Sequence, residues 1–246
     1  MSKANRAGLP VPKVIWTAKN KKLFGYQKKY GALFGYIPAR HLYDIKFTPS
    51  ILYRVGKLLG GMHKFTMGME FDGKPWKKYA WDLAQFSIVA KDFEKVKKFF
   101  SKKVEILITQ TINDWENNWP KLKKLKTAVI HGDFHGANLL IDKNNKIWIT
   151  DFGDANQSYL LADIAVALAH LCMPLVNYQN LARAFVKGYT SIFSLNNKEK
   201  RFLPLLVRMR ACTEIVESTL DKKNDALDKK LFSHALKVLN RPLLSI

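Results

Sequence analysis

The sequence holds only two cysteines, Cys172 and Cys212, and they are not in a Cys-x-x-Cys spacing. That excludes a disulfide scaffold and a cysteine-ligated zinc site. Two buried, reduced thiols are the expectation. Long apolar runs are missing as well. The longest apolar stretch, Leu160 to Val176, is interrupted by Asp163 and His170, so no membrane span is expected. The first ten residues carry positive charge with no apolar stretch behind them, which is not the pattern of a secretory signal. The cytoplasm is the expected location. Acid is absent from residues 1–43, where no Asp or Glu occurs.

Arginine is scarce too. The net charge is +21, from 41 basic and 20 acidic residues, but only eight of the basic residues are Arg. Paired readout of phosphates and guanines prefers Arg. The lysines are spread along the whole chain and no nucleic-acid motif accompanies them. Both points argue against nucleic acid as the partner and for a generally basic surface that can attract an anionic ligand such as a nucleotide. With 246 residues, 48% of them hydrophobic, the chain can form one large domain or two unequal lobes with a sizeable core.

Residues 1–43 read as short strands and turns. Val11 to Thr17, Leu23 to Tyr26 and Ala32 to Ile37 are β-prone, with Pro12 suggesting an edge and Gly25, Gly31 and Gly35 breaking the runs. From Pro49 the period becomes helical through Met62, weakened near its end by Gly60-Gly61. Residues 70–85 read as a loop with aromatic anchors Trp76, Tyr79 and Trp81. Asp92 to Ile112 predicts an amphipathic helix with a lysine-covered outer face, and a further helix follows from Asn113 toward Leu125. Strands are expected at 128–130, 139–141 and 147–150. Helical spacing then returns at 160–171, 178–193, 198–220 and 224–239.

The chemistry sits in His131-Gly132-Asp133-Phe134-His135-Gly136-Ala137-Asn138 and, beyond a strand-turn-strand, Asp151-Phe152-Gly153. A four-residue turn at 143–146 would place Asp142 opposite Ile147 and Asn138 opposite Asp151. An amide oxygen and a carboxylate so placed could share one hard cation, and Mg²⁺ suits them. Asp133, on the loop before the hairpin, is free to orient a hydroxyl. The order follows protein-kinase logic: a catalytic Asp, an Asn five positions on, then an Asp-Phe-Gly metal ligand.

His-Gly-Asp-x-x-x-x-Asn followed by Asp-Phe-Gly resembles the aminoglycoside phosphotransferase and choline kinase superfamily. Further segments agree: Leu33 to Pro38 resembles its nucleotide hinge, and Val55 to His63 its first C-lobe helix. Tyr79 to Leu83, Asp151 to Asp154 and Asp163 to Ala169 look most like the hydroxylysine kinase branch. The resemblance implies an α+β, protein-kinase-like fold: a truncated N-lobe of a few β-strands and a hinge at 1–43, then a mostly helical C-lobe at 44–246 with a catalytic β-hairpin. It implies a small-molecule kinase that moves the γ-phosphoryl of ATP or GTP, with Mg²⁺, to a hydroxyl of an amine-bearing substrate. Asp133 would be the catalytic residue and Asn138 and Asp151 the metal ligands. Tyr36 and Ile37 would meet the nucleotide base through backbone groups.

Other residues carry two readings each. His131 holds the loop by hydrogen bonds. His135 positions the loop or meets substrate or phosphate. Asp163 is read as a buried loop anchor and Asp154 as a partner for a substrate amine or a loop cap. Arg208 and Arg210 form helix-surface salt bridges or bind a substrate anion. One departure stands out. A complete N-lobe has a Gly-rich loop, a strand Lys and a helix Glu. Here no Gly-rich loop precedes residue 8, no acid precedes Asp44, and Lys13 beside Pro12 is a poor phosphate lysine. The chain is therefore expected to start after those parts, to be catalytically impaired alone, and to have a separately encoded N-lobe as a candidate partner.

Overall fold

The computed structural model describes residues 1–69, 79–221 and 225–242; the anchor expected at Trp76 lies outside them. In chain order the elements begin with α1 (Ser2–Arg6), β1 (Val14–Ile15), β2 (Phe24–Tyr26), β3 (Lys29–Gly31), β4 (Leu33–Phe34), β5 (Ala39–His41) and α2 (Pro49–Thr66). There follow α3 (Ser87–Val96), α4 (Lys102–Leu122), β6 (Thr127–Ile130), β7 (Leu139–Asp142), β8 (Ile147–Ile149) and β9 (Asn156–Tyr159). Five helices close the chain: α5 (Leu160–Leu171), α6 (Tyr178–Thr190), α7 (Asn197–Lys200), α8 (Leu203–Leu220) and α9 (Asp225–Leu239). Spatial proximity sorts them into two units. One is Met1–Lys46 with Gly136–Gly153, the other Phe47–His135 with Asp154–Ile246.

In the first unit β7 and β8 form the expected hairpin. Leu139, Ile141, Ile147 and Ile149 are buried while Leu140 and Trp148 are less so, the period-two pattern of a half-buried strand. The register differs from expectation. Leu139 faces Ile149 and Ile141 faces Ile147, so the loop spans five residues, 142–146. The cause is local. Asp142 Oδ1 accepts the backbone N–H groups of Asn144 and Lys146, each at 2.9 Å, and Oδ2 accepts Trp148 Nε1 at 3.0 Å. Asn145 closes the turn at φ +62°, a conformation Asn tolerates. These bonds draw Asp142 into the loop. On the other edge of β7 lies β5, with Ala39 opposite Asp142 and His41 opposite Leu140. β1 pairs with β4, and β2 with β3. β1 and β4 are shorter than the β-prone runs that contain them, whereas β2 pairs through Gly25 and β3, which lies outside the expected runs, through Gly31.

The second unit is mostly helical. Thr48 caps α2 by accepting Ile51 N–H, and Pro49 starts the helix with its φ already set. α2 does not weaken at Gly60-Gly61 but runs to Thr66; a Cβ at Gly60 would crowd the Tyr189 carbonyl, while Gly61 faces open space. A Cβ at Gly56 would meet the Phe185 carbonyl, and one at Gly188 the Tyr53 carbonyl, so α2 and α6 touch backbone to backbone. The single helix expected over Asp92–Ile112 is two. The chain breaks after Val96 and restarts where Ser101 Oγ accepts Val104 N–H at 3.4 Å. α4 then continues to Leu122 and absorbs the helix expected from Asn113. β9, unexpected from sequence, pairs antiparallel with β6, Ile130 opposite Asn156. Every residue of α5 is buried, as befits a helix that is apolar nearly all round. Cys172 and Cys212 are buried free thiols, and burial pushes Cys212 up to about 12. Among the described residues no helix is long and apolar enough to cross a membrane.

Candidate active site

The loop after β6 is held from below by α5. Asp163, fully buried, accepts the backbone N–H of His131 at 2.7 Å through Oδ2 and that of Gly132 at 2.8 Å through Oδ1. His63 of α2 lies 3.1 Å from the same carboxylate by Nε2 and 2.9 Å from the Tyr189 hydroxyl by Nδ1. With the proton on Nε2, that imidazole donates to Asp163 and accepts from Tyr189, so one neutral ring satisfies both. Gly132 has φ +84°, and a Cβ there would strike the Asp154 carbonyl. The buried His131 ring packs edge-on against Phe134 at 5.7 Å and takes Asp133 N–H on Nδ1 at 3.3 Å.

This frame presents Asp133. Its Oδ2 lies 2.9 Å from His135 Nε2, and its Oδ1 accepts Arg210 Nη2 at 3.0 Å. Burial alone would raise the Asp133 carboxyl. The His135 hydrogen bond and the Arg210 charge outweigh it and hold the group well below the usual carboxylate range. Arg210 is not on a helix surface as expected but 3% exposed. Its Nε donates to Glu214 Oε1 at 2.9 Å, one turn along α8, and its guanidinium lies over Trp81, 4.7 Å from the ring centroid. Arg208 does lie nearer the surface, donating to Thr111 Oγ1 and approaching Asp114 at 3.4 Å.

Behind Arg210 lies a group that the sequence reading missed. His170 Nε2 comes within 2.7 Å of Glu214 Oε1, and the His170 ring stacks on His234 at 4.8 Å and lies 5.1 Å from His135. Burial and the adjacent His170 lower His234 to about 4. Glu214 is held ionised at about 2, the charges of His170 and Arg210 overcoming the effect of burial. The available signal is Arg210 and Glu214 at i, i+4 on α8, which also carries Arg208 and Glu217; nothing local points to their partners. Asp154, in the same unit, accepts the Tyr79 hydroxyl through Oδ1, and burial with that bond raises Tyr79.

The remaining expected residues belong to the first unit. Asn138 just precedes β7, and its carbonyl accepts Thr150 N–H at 2.9 Å and Thr150 Oγ1 at 3.0 Å. Asn138 therefore faces Thr150 rather than Asp151. Asp151 follows at φ +55° with an exposed side chain, its Oδ1 accepting Gly153 N–H at 3.2 Å. That left-handed residue ends the strand pleat, so strict face alternation stops at Thr150. Tyr36, 89% exposed, and the half-buried Ile37 lie in the extended link between β4 and β5. The start of the hairpin is tied to β5 by His41, whose Nδ1 lies 2.8 Å from the Ala137 carbonyl.

Comparison with known proteins gives this arrangement a context. A hydroxylysine kinase of Danio rerio is 26% identical over 206 residues, covering 78% of this chain and 56% of that protein. The chain spans between 51% and 61% of the length of the hydroxylysine kinases it matches. Among solved structures, an amicoumacin kinase in complex with AMP-PNP and Ca²⁺ superposes with a TM-score of 0.69 at 14% identity, covering 97% of this chain and 75% of that one. A microcompartment-associated aminopropanol kinase superposes with a TM-score of 0.66 at 16% identity, covering 96% and 76%. These likenesses show the fold, α+β and kinase-like with few strands and a helical remainder, as expected from the sequence. The model of the phosphotransferase enzyme family known as APH matches residues 1–197, and the chain belongs to that family.

Proposed function

We propose that this protein transfers the γ-phosphoryl group of ATP or GTP to a hydroxyl of a small amine-bearing molecule of the hydroxylysine, amino alcohol or aminoglycoside type. The observation that carries the reading is the Asp133 carboxylate, kept ionised by Arg210 and His135 on a loop that Asp163 pins. Asp133 orients the substrate hydroxyl and takes its proton. A carboxylate with a depressed pKa is a weak base, which suits a loose transition state in which the nucleophile keeps its proton until late. His135 fixes the direction of the carboxylate. Asp154, held by Tyr79, is the available anion for a substrate amine. The side-chain oxygens of Asn138 and Asp151 are the donors a hard dication prefers. Mg²⁺, when bound, would supply charge neutralisation for the phosphates. In this reading residues 1–43 are a remnant of the N-lobe and hinge, with Tyr36 and Ile37 beside the base, and residues 44–246 are the C-lobe. The cytoplasm is the location in this reading.

The test is phosphoryl transfer to a panel of amino alcohols, hydroxy amino acids and aminoglycosides, with Asp133→Ala as control. Loss of the base is worth about 10²–10⁴-fold in turnover, with little change in nucleotide affinity. A mutant with full turnover would show that Asp133 is not the base.

A further inference from the structure

We propose that His170, Glu214 and His234 form a binding site for one Zn²⁺ ion, buried where helices α5, α8 and α9 meet. Each helix brings one ligand, and their ligand atoms already lie within 4.8 Å of one another. A tetrahedral zinc ion with bonds of about 2.0–2.2 Å keeps its ligands roughly 3.4 Å apart, so side-chain rotation closes the remaining distance.

What points to a ligand is the state of the three side chains. Glu214 is 0% exposed, yet its Oε2 has no hydrogen-bond partner. His234 Nε2 is likewise buried and without one, and His170 Nε2 has beside it only the same carboxylate, 2.7 Å from Glu214 Oε1. Bare polar atoms in an interior are costly, and most native ones are satisfied. A single dication engages all three at once. The other atom of two ligands is already oriented from outside, as metal sites require. Arg210 Nε holds Glu214 Oε1, and the Ala169 carbonyl holds His234. Arg210 puts positive charge on the far oxygen, but the Asp133 carboxylate on the same guanidinium offsets it.

Two imidazoles and one carboxylate select zinc over Mg²⁺ or Ca²⁺, which take oxygen ligands. The site is thus chemically separate from the oxygen pair Asn138 and Asp151, and it does not depend on the kinase reading. Its consequence is mechanical: the ion would tie α9 and α5 to the α8 turn that carries Arg210, and through Arg210 to Asp133.

The 246-residue chain, stripped of metal with a chelator, would be titrated with Zn²⁺ by calorimetry. The expected result is one equivalent bound, unchanged in Asp151→Asn. Affinity should fall in His234→Gln and Glu214→Gln by at least the ~10–100-fold seen when only an outer-shell partner is lost. X-ray absorption of the zinc-loaded wild-type chain should show two imidazoles and an oxygen ligand, and this reads the site even where a variant does not fold. Failure of the wild-type chain to bind zinc would overturn the proposal. So would unaltered binding in folded His234→Gln, or an absorption spectrum without imidazole.

Discussion

Asp163 and His131 meet through a 2.7 Å hydrogen bond from backbone to carboxylate, and the same carboxylate also receives Gly132 N–H and the His63 ring. One buried acid on the central helix thus fixes the direction of the loop that carries Asp133. Removing it leaves two backbone donors and an imidazole without their acceptor. Asp163→Ala should cost about 3–5 kcal/mol, with Asp163→Asn less harmful because one acceptor oxygen remains. Urea unfolding of both variants checks this. A loss under about 1 kcal/mol in the alanine variant would show that the loop is held some other way.

Arg210 should set the proton affinity of Asp133. Because the folded-state pKa is depressed, the stabilisation from ionised Asp133 is present above its unfolded value near 3.9. It is lost only as pH falls through the lower folded value. Arg210→Gln should therefore move the Asp133 titration upward and narrow the acid range over which the fold persists. Carbon-detected NMR of the aspartate carboxyls reads this directly. An Asp133 titration that does not move would assign the shift to His135 alone.

Asp151→Asn should abolish Mg²⁺-dependent nucleotide binding while leaving the fold intact. The side chain is exposed, and Asn accepts the φ of +55° that Asp151 adopts. The measurement is the thermal shift caused by Mg²⁺ with nucleotide, since specific binding raises stability by mass action. An unchanged shift in the mutant would remove Asp151 from the metal site.

The 246-residue chain by itself should be a poor kinase. No Asp or Glu lies in residues 1–43, so no Lys–Glu pair can form there to hold the nucleotide phosphates, and a misplaced γ-phosphate can cost about 10²-fold. A lobe bearing a Gly-rich loop and a strand Lys, added in trans or fused upstream, should raise turnover. Trp16, Tyr30 and Tyr36 are more than half exposed in the unit that such a lobe would join. Turnover of about 1 s⁻¹ or more by the chain alone, within the usual kinase range, would refute this.

The residues proposed for the site stand out in the sequence because their signals are local. The spacing from Asp133 to Asn138 and the Asp151-Phe152-Gly153 triplet are contiguous chemistry, and alternation of buried residues marks β7 and β8 without reference to anything else. Asp163, a lone acid on an apolar helix, announced a buried role, because an unpaired charge there would be too costly to keep. The break after Val96 was hidden, since the apolar period runs through it and only the Ser101 cap betrays the restart. The hairpin register also escaped. Turn length set the prediction, while the three bonds to the Asp142 carboxylate decided the outcome.

By itself, then, the sequence determined most of the helical segments, the β7–β8 hairpin and the residue types on the loop after β6, because periodicity and short-range spacing depend on neighbours along the chain. Only the tertiary structure decided what those residues touch. Arg210 reaches Asp133 from 77 positions away, Glu214 reaches His170 from 44, and His170 stacks on His234 from 64. No local pattern encodes such pairings, because they arise from the packing of α5 and α9 against α8. That packing is driven by non-directional burial of apolar surface, which does not name its partners in the sequence.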